Sequence, residues 1–86
     1  MTQLRDSQVE TLRLVDRFEA GKGGVRPWRL VSELGITEQS ARARLERLRE
    51  SGHLYPLLDL AANGHYVRAA FRLTQLGREA LEGRES

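Results

Sequence analysis

Four arginines, Arg42, Arg44, Arg47 and Arg49, fall within eight residues of the stretch ITEQSARARLERLRESG, interleaved with Leu45 and Leu48. Guanidinium groups hold phosphate oxygens and guanine edges through paired N–H donors. The chemistry this run offers is therefore recognition of an anion, not the making or breaking of bonds. The same residues admit a plainer reading. Glu38–Arg42 and Arg42–Glu46 are spaced i,i+4 and Glu46–Arg49 i,i+3, and such pairs stabilise a solvated helix face by about 0.2–0.5 kcal/mol each. Glu38, Glu46 and Glu50 also place negative charge on the helix that would meet the anion. The segments on either side of the run decide between the two readings.

Other chemistry finds little support. The chain has no cysteine, which removes disulfides, zinc–thiolate sites and thiol nucleophiles. Ser7, Ser32, Ser40, Ser51 and Ser86 sit in no recognisable Ser/His/Asp arrangement, and no paired carboxylates flank an evident cleft. His53 and His65 fall at the base and the tip of a predicted hairpin, too far apart for a metal pair. His65 reads as a turn residue before a phosphate contact. The Lys22–Gly24 loop lacks the spacing of a phosphate cradle. The expectation is a protein that is not an enzyme and uses no metal or cofactor.

With 86 residues, a single domain over 1–86 is expected. Its net stability should be about 4–13 kcal/mol at roughly 0.05–0.15 kcal/mol per residue, so a dimer interface would matter. Hydrophobic residues make up 40% and charged residues 30%, a folded rather than a disordered balance. The net charge of +2 suits an anionic partner only if the arginines are well placed. Lys22 is the one lysine. The opening MTQLRDSQVE is polar and no apolar run approaches membrane-spanning length, so the cytoplasm is the expected compartment and no membrane contact is expected.

The elements that must position the arginines read as follows. A first helix over about 7–19 starts at a capping box of Ser7 and Glu10. Its apolar stripe is Val9, Leu12, Val15 and Phe18, widened by Leu14, and it stops at Ala20–Gly24. Val25 is a candidate short strand. A second helix, about 27–34, opens with Pro27 and buries Leu30, Val31 and Leu34. Trp28 is expected to cover the edge of the core, with stacking on a sugar or phosphate as the alternative. Gly35 supplies a left-handed turn, and Thr37 caps a third helix over about 37–51. At about 100° per residue, Ala41, Leu45 and Leu48 share its buried face, with Ile36 packing ahead of them. Gln39, Ala43, Glu46 and Glu50 lie opposite, Ser40 and Arg47 flank one side, Arg42 the other, and Arg44 sits nearer the buried edge. Gly52 ends the helix.

The period then changes. Asn63-Gly64 predicts a two-residue type I′ turn within a hairpin of about 53–73. That register puts Asp59 opposite Arg68. One face would carry Leu54, Leu58, Leu60, Val67, Ala69, Phe71 and Leu73, and the other Tyr55, Leu57, Asp59, Ala61, Tyr66, Arg68, Ala70 and Arg72. Pro56 calls for a bulge or an edge position. A last helix, about 74–82, carries Leu76, Ala80 and Leu81, is weakened at Gly77, and frays after Gly83.

This order, together with LVSELGITEQSARARLERLRESGHL and FRLTQLGREAL, resembles the winged helix-turn-helix superfamily and its MarR-like and PadR-like transcriptional regulators. The fold class implied is mainly α with a small β-hairpin. The resemblance implies that the third helix enters the major groove of double-stranded DNA with its N-terminal half leading. Gln39, Ser40, Ala43 and Arg47 would then meet bases or groove walls, Arg42 and Arg44 the phosphates on either side, and Thr37 would also belong to the DNA-binding set. Trp28 and Arg29 at the start of the second helix would touch backbone, and the hairpin tip, Asn63–His65 with Arg68 behind it, would lie along the minor groove or phosphate. It also implies a homodimer through helix 7–19, helix 74–82 or both, controlled by nothing, by a small ligand at the dimer interface or by a regulatory protein partner. Because folds are reused, the alternative is a protein–protein interaction module without direct DNA readout.

Overall fold

The structure, a computed structural model, describes residues 4–19 and 23–85. The elements are α1 (Asp6–Glu19), α2 (Pro27–Leu34), α3 (Glu38–Glu50), β1 (Leu54–Leu60), β2 (Tyr66–Leu73) and α4 (Gln75–Glu85). Four helices and one antiparallel hairpin enclose a single core of Val9, Leu12, Leu14, Val15, Val25, Leu30, Ala41, Leu45, Leu48, Leu54, Phe71, Leu73 and Leu81. Among the described residues no helix is long and apolar enough to cross a membrane.

The helix α1 is capped differently from the sequence expectation. Ser7 lies inside the first turn. Arg5 occupies the cap, its carbonyl accepting from the amides of Gln8 and Val9, while the Gln8 side chain reaches back to the Arg5 amide at 2.8 Å. This is the returning half of a capping box set two residues earlier. The buried Thr11 hydroxyl donates to the Ser7 carbonyl at 2.8 Å, so burial of this hydroxyl is compensated by a hydrogen bond. The helix ends at Glu19. The rest of the predicted stop, residues 20–22 with Lys22, lies outside the described residues.

Val25 forms the expected short strand as an isolated bridge to Phe71, exchanging both backbone hydrogen bonds with it at 2.8 and 2.9 Å. That exchange explains Pro56, which stands opposite Phe71 in β1. Phe71 directs its amide and carbonyl to Val25, so position 56 needs no N–H toward β2, and proline is tolerated on the outer edge strand. Pro27 opens α2, and Gly35 closes it at φ 66°.

The hairpin departs from the predicted register. Leu54–Leu57 pair with Leu73–Ala70 as expected, but Leu58 pairs with Arg68, Asp59 with Val67 and Leu60 with Tyr66. The turn is a three-residue loop, Ala62–Gly64, closed by Ala61 N–H to the His65 carbonyl at 2.8 Å and Gly64 N–H to the Ala61 carbonyl at 3.0 Å. No non-glycine residue among those described has positive φ, whereas Gly64 sits at 84°. A type I′ turn needs positive φ at Asn63 as well, so that turn is excluded. Asn63 instead accepts the His65 amide on its side-chain oxygen at 3.1 Å. A bulge between Leu57 and Leu58 absorbs the extra residue. The core sets the register at the base, the turn sets it at the tip, and the bulge reconciles them. As a result Tyr66 and Arg68 share the face of Leu58 and Leu60, and the predicted Asp59–Arg68 pair does not form.

The helix α4 starts where expected, with the Thr74 hydroxyl accepting the Gly77 amide at 3.1 Å. It continues through Gly83 to Glu85 instead of ending at 82. Leu76 is exposed and leaves the predicted stripe, while Leu81 is buried. Gly77 is a packing requirement: a Cβ there would overlap the His53 carbonyl oxygen and lie 3.1 Å from a Leu73 methyl.

Candidate functional site

The helix α3 is held at both ends and along one side. At its start the Thr37 side chain accepts the Ser40 amide at 3.1 Å. At its end Gly52, at φ 86°, lets the His53 amide reach the Leu48 carbonyl at 2.9 Å and its own amide the Arg49 carbonyl at 3.0 Å, the paired bonds of a Schellman cap. Ala41, Leu45 and Leu48 are fully buried. With three anchors on one face, the opposite face must turn outward, and Gln39, Ser40, Ala43 and Arg47 are all exposed.

The arginines of the run take different roles. Arg42 lies 3.4 Å from Glu38. Arg44 reaches across to α1, 3.1 Å from Glu10 and 3.5 Å from the Ser7 carbonyl. Arg49 is drawn down to Glu46 at 2.6 Å. Arg47 is exposed and, unlike Arg42, Arg44 and Arg49, makes no ion pair with a described residue. The pairs of Arg42 and Arg44 involve exposed carboxylates. Such pairs are worth about 0–1 kcal/mol, so an incoming phosphate could displace either carboxylate at little cost.

The remaining predicted site residues divide. Arg68 binds Glu46 at 3.1 Å, so Glu46 holds both Arg49 and Arg68 and ties the hairpin to α3. Sequence reasoning had placed Glu46 on the outer face and Arg68 beside Asp59. Asp59 instead bonds Arg26 at 3.3 Å. His65 is exposed in the turn. The Arg29 guanidinium stacks 4.7 Å from the centre of the Phe18 ring and 4.6 Å from that of Trp28, a cation–π arrangement. Trp28 is 56% exposed, which overturns its assignment to the core edge. Its ring lies on the surface, held by Arg29.

Two residues escaped sequence reasoning. Arg26 caps α2 and fastens the hairpin through Asp59. Arg5 caps α1 and lines a groove with Ser40, Ala43, Arg44 and Arg47. Gln8, three residues after Arg5, was the available signal, because glutamine at that spacing completes a capping box.

On the hairpin face that carries Arg68, Leu58, Leu60 and Tyr66 are 56%, 64% and 69% exposed. Burial lowers the pKa of His53 from its ordinary value of 6.5, and its Nδ1 lies 2.6 Å from the Ser51 hydroxyl. Among the described residues, no group of three or more His, Cys, Asp or Glu side chains is placed to hold a metal ion. No protein-family model matches the chain, and no curated protein matches it.

Proposed function

We propose that the chain is a winged helix-turn-helix domain that binds double-stranded DNA as a transcriptional regulator. In this reading α2 and α3 form the helix-turn-helix, the β1–β2 hairpin is the wing, and α3 lies in the major groove. The observation that carries the reading is the division of α3: Ala41, Leu45 and Leu48 are fully buried, while Gln39, Ser40, Ala43 and Arg47 face solvent. A helix has the width the major groove admits. Ala43 leaves room for close approach between the polar Gln39 and the charged Arg47. The domain acts without catalysis, in the cytoplasm, as a homodimer whose half-sites lie about 34–36 Å apart on a roughly palindromic operator. The apolar face of α1 is packed in the core, so Leu76 on α4 is the exposed large apolar residue these two helices offer a second copy, among the described residues.

Titration of labelled duplex DNA at about 50 and 200 mM salt tests this. Each phosphate neutralised contributes roughly −0.9 to the slope of log K against log salt. Arg47→Ala should weaken binding. If Arg47 contacts phosphate, the slope should become shallower by about 1. If it contacts a base, discrimination among sequences should fall instead.

The exposed Leu58, Leu60 and Tyr66 favour a second reading, in which the hairpin docks on another protein and α3, with Glu38, Glu46 and Glu50, reads no DNA. Absence of binding even at low salt supports it, and Leu60→Asp would then abolish the protein contact.

A further inference from the structure

We infer that the groove between the start of α1 and α3 is a second phosphodiester-binding site, built on Arg5 and Arg47, which grips the DNA strand across the major groove from the hairpin. The inference rests on the DNA-binding reading and adds a contact that reading does not contain. Three arginines, Arg5 from the start of α1 and Arg44 and Arg47 from α3, line one open groove of about 540 Å³. Two of them, Arg5 and Arg47, make no ion pair with a described residue. Arg44 already lies beside Glu10 at 3.1 Å, so its charge is partly met within the protein, and the shared core of α1 and α3 holds the two helices together. The first-turn carboxylate of α1, Asp6, lines a different groove, between α1 and α2.

The groove also lies on the side of α3 that the hairpin leaves open. Ser40, Arg44 and Arg47 occupy one edge of the helix. Arg42, Glu46 and Arg49 occupy the other and line the groove facing the hairpin. The outward residues Gln39 and Ala43 lie between these edges. A helix in a major groove has a sugar–phosphate strand along each of its edges. On the hairpin edge, Glu46 already satisfies Arg49 and Arg68 at 2.6 and 3.1 Å. On the α1 edge, two guanidinium groups remain unpaired and the Ser7 and Ser40 hydroxyls are nearby. An anion with several acceptor oxygens and a single negative charge, a phosphodiester, fits that set through bidentate arginine bonds.

The test compares wild-type protein with Arg5→Ala, Arg5→Lys and Arg47→Ala on a short mixed-sequence duplex, by fluorescence anisotropy over a salt series. Arg5→Ala should weaken binding several-fold on every sequence and lower the salt slope by about 1. Arg5→Lys should recover most of both. Replacing individual phosphates by uncharged methylphosphonates should reveal one position, on the strand away from the hairpin, where both proteins weaken and the difference between wild type and Arg5→Ala disappears. Unchanged urea midpoints would show that the variants fold. If Arg5→Ala binds with wild-type affinity and slope while Arg47→Ala is impaired, the second site is overturned and the DNA-binding reading stands. If wild-type protein binds no duplex at low salt, both are overturned.

Discussion

Replacing Gly77 by alanine sets two physical effects against each other. Gly77 lies inside α4 and does not have positive φ, so its backbone suits alanine. Helix propensity alone then predicts a gain of about 1 kcal/mol. Space predicts the opposite. The new Cβ would overlap the His53 carbonyl oxygen and stand 3.1 Å from Leu73 Cδ2. The His53 carbonyl is backbone and cannot rotate away. It also accepts the Thr74 amide at 3.2 Å, and the Thr74 hydroxyl donates to the Gly52 carbonyl at 2.6 Å. Relieving the overlap means moving α4 away from the end of α3. Overpacking of this kind costs about 1–3 kcal/mol, and loss of the Thr74 amide bond roughly 1 kcal/mol more. After the propensity gain, Gly77→Ala should be destabilising by about 1–3 kcal/mol. At roughly 4–8 °C per kcal/mol for a domain of this size, the melting temperature should fall by at least about 4 °C. Urea unfolding followed by circular dichroism reads the change as a lower midpoint at unchanged slope. Gly83→Ala is the control, because a Cβ at 83 meets nothing within 4 Å and should be neutral or slightly stabilising. A midpoint for Gly77→Ala at or above wild type would refute the close contact between α4 and the α3–β1 turn.

Leu45→Ala should cost about 2–5 kcal/mol, because Leu45 is fully buried; denaturant titration would show a large drop in midpoint. Thr37→Ala removes the cap on the Ser40 amide and should cost about 0.5–2 kcal/mol, whereas Thr37→Ser should leave the midpoint nearly unchanged. Burial holds the His53 pKa below 6.5 in the folded state, so the unfolded chain takes up the proton first as pH falls. This contribution to stability is complete above about pH 6.5 and declines as the pH drops toward the folded pKa. His53→Gln should flatten the stability–pH curve as the pH falls below about 6.5, and an unaltered curve would show that burial does not hold the imidazole in its neutral form.

How much could be read in advance followed from how local each determinant was. The Ala41, Leu45 and Leu48 spacing, the Gly35 turn and the Thr37 cap lie within a few residues of one another, and their local patterning matches the structure. The hairpin tip was misread because Leu58, Leu60, Tyr66 and Val67 are all exposed. With no buried face at the tip, side-chain patterning cannot choose the register. One extra loop residue then turned Arg68 from Asp59 to Glu46. Trp28 was misplaced for a different reason. Leu30 fills the inner side of the short α2, and the partner that holds Arg29 against Trp28, Phe18, comes from another helix. Arg5 and Arg47 lie far apart in the chain and meet only when α1 packs on α3, so no local pattern reveals their groove. Gly77 likewise carried a propensity penalty in the sequence, while its purpose became visible only with the His53 carbonyl beside it.

The proposed function requires the outward face of α3 to meet a DNA duplex. The most direct measurement is the pattern of backbone amide shifts in the isotope-labelled protein as a selected duplex is added in low salt. If α3 lies in the major groove, the largest changes fall on Gln39, Ser40, Ala43 and Arg47, with lesser ones at Arg5. Shifts confined to Leu58, Leu60 and Tyr66, or no shifts at all, would contradict it.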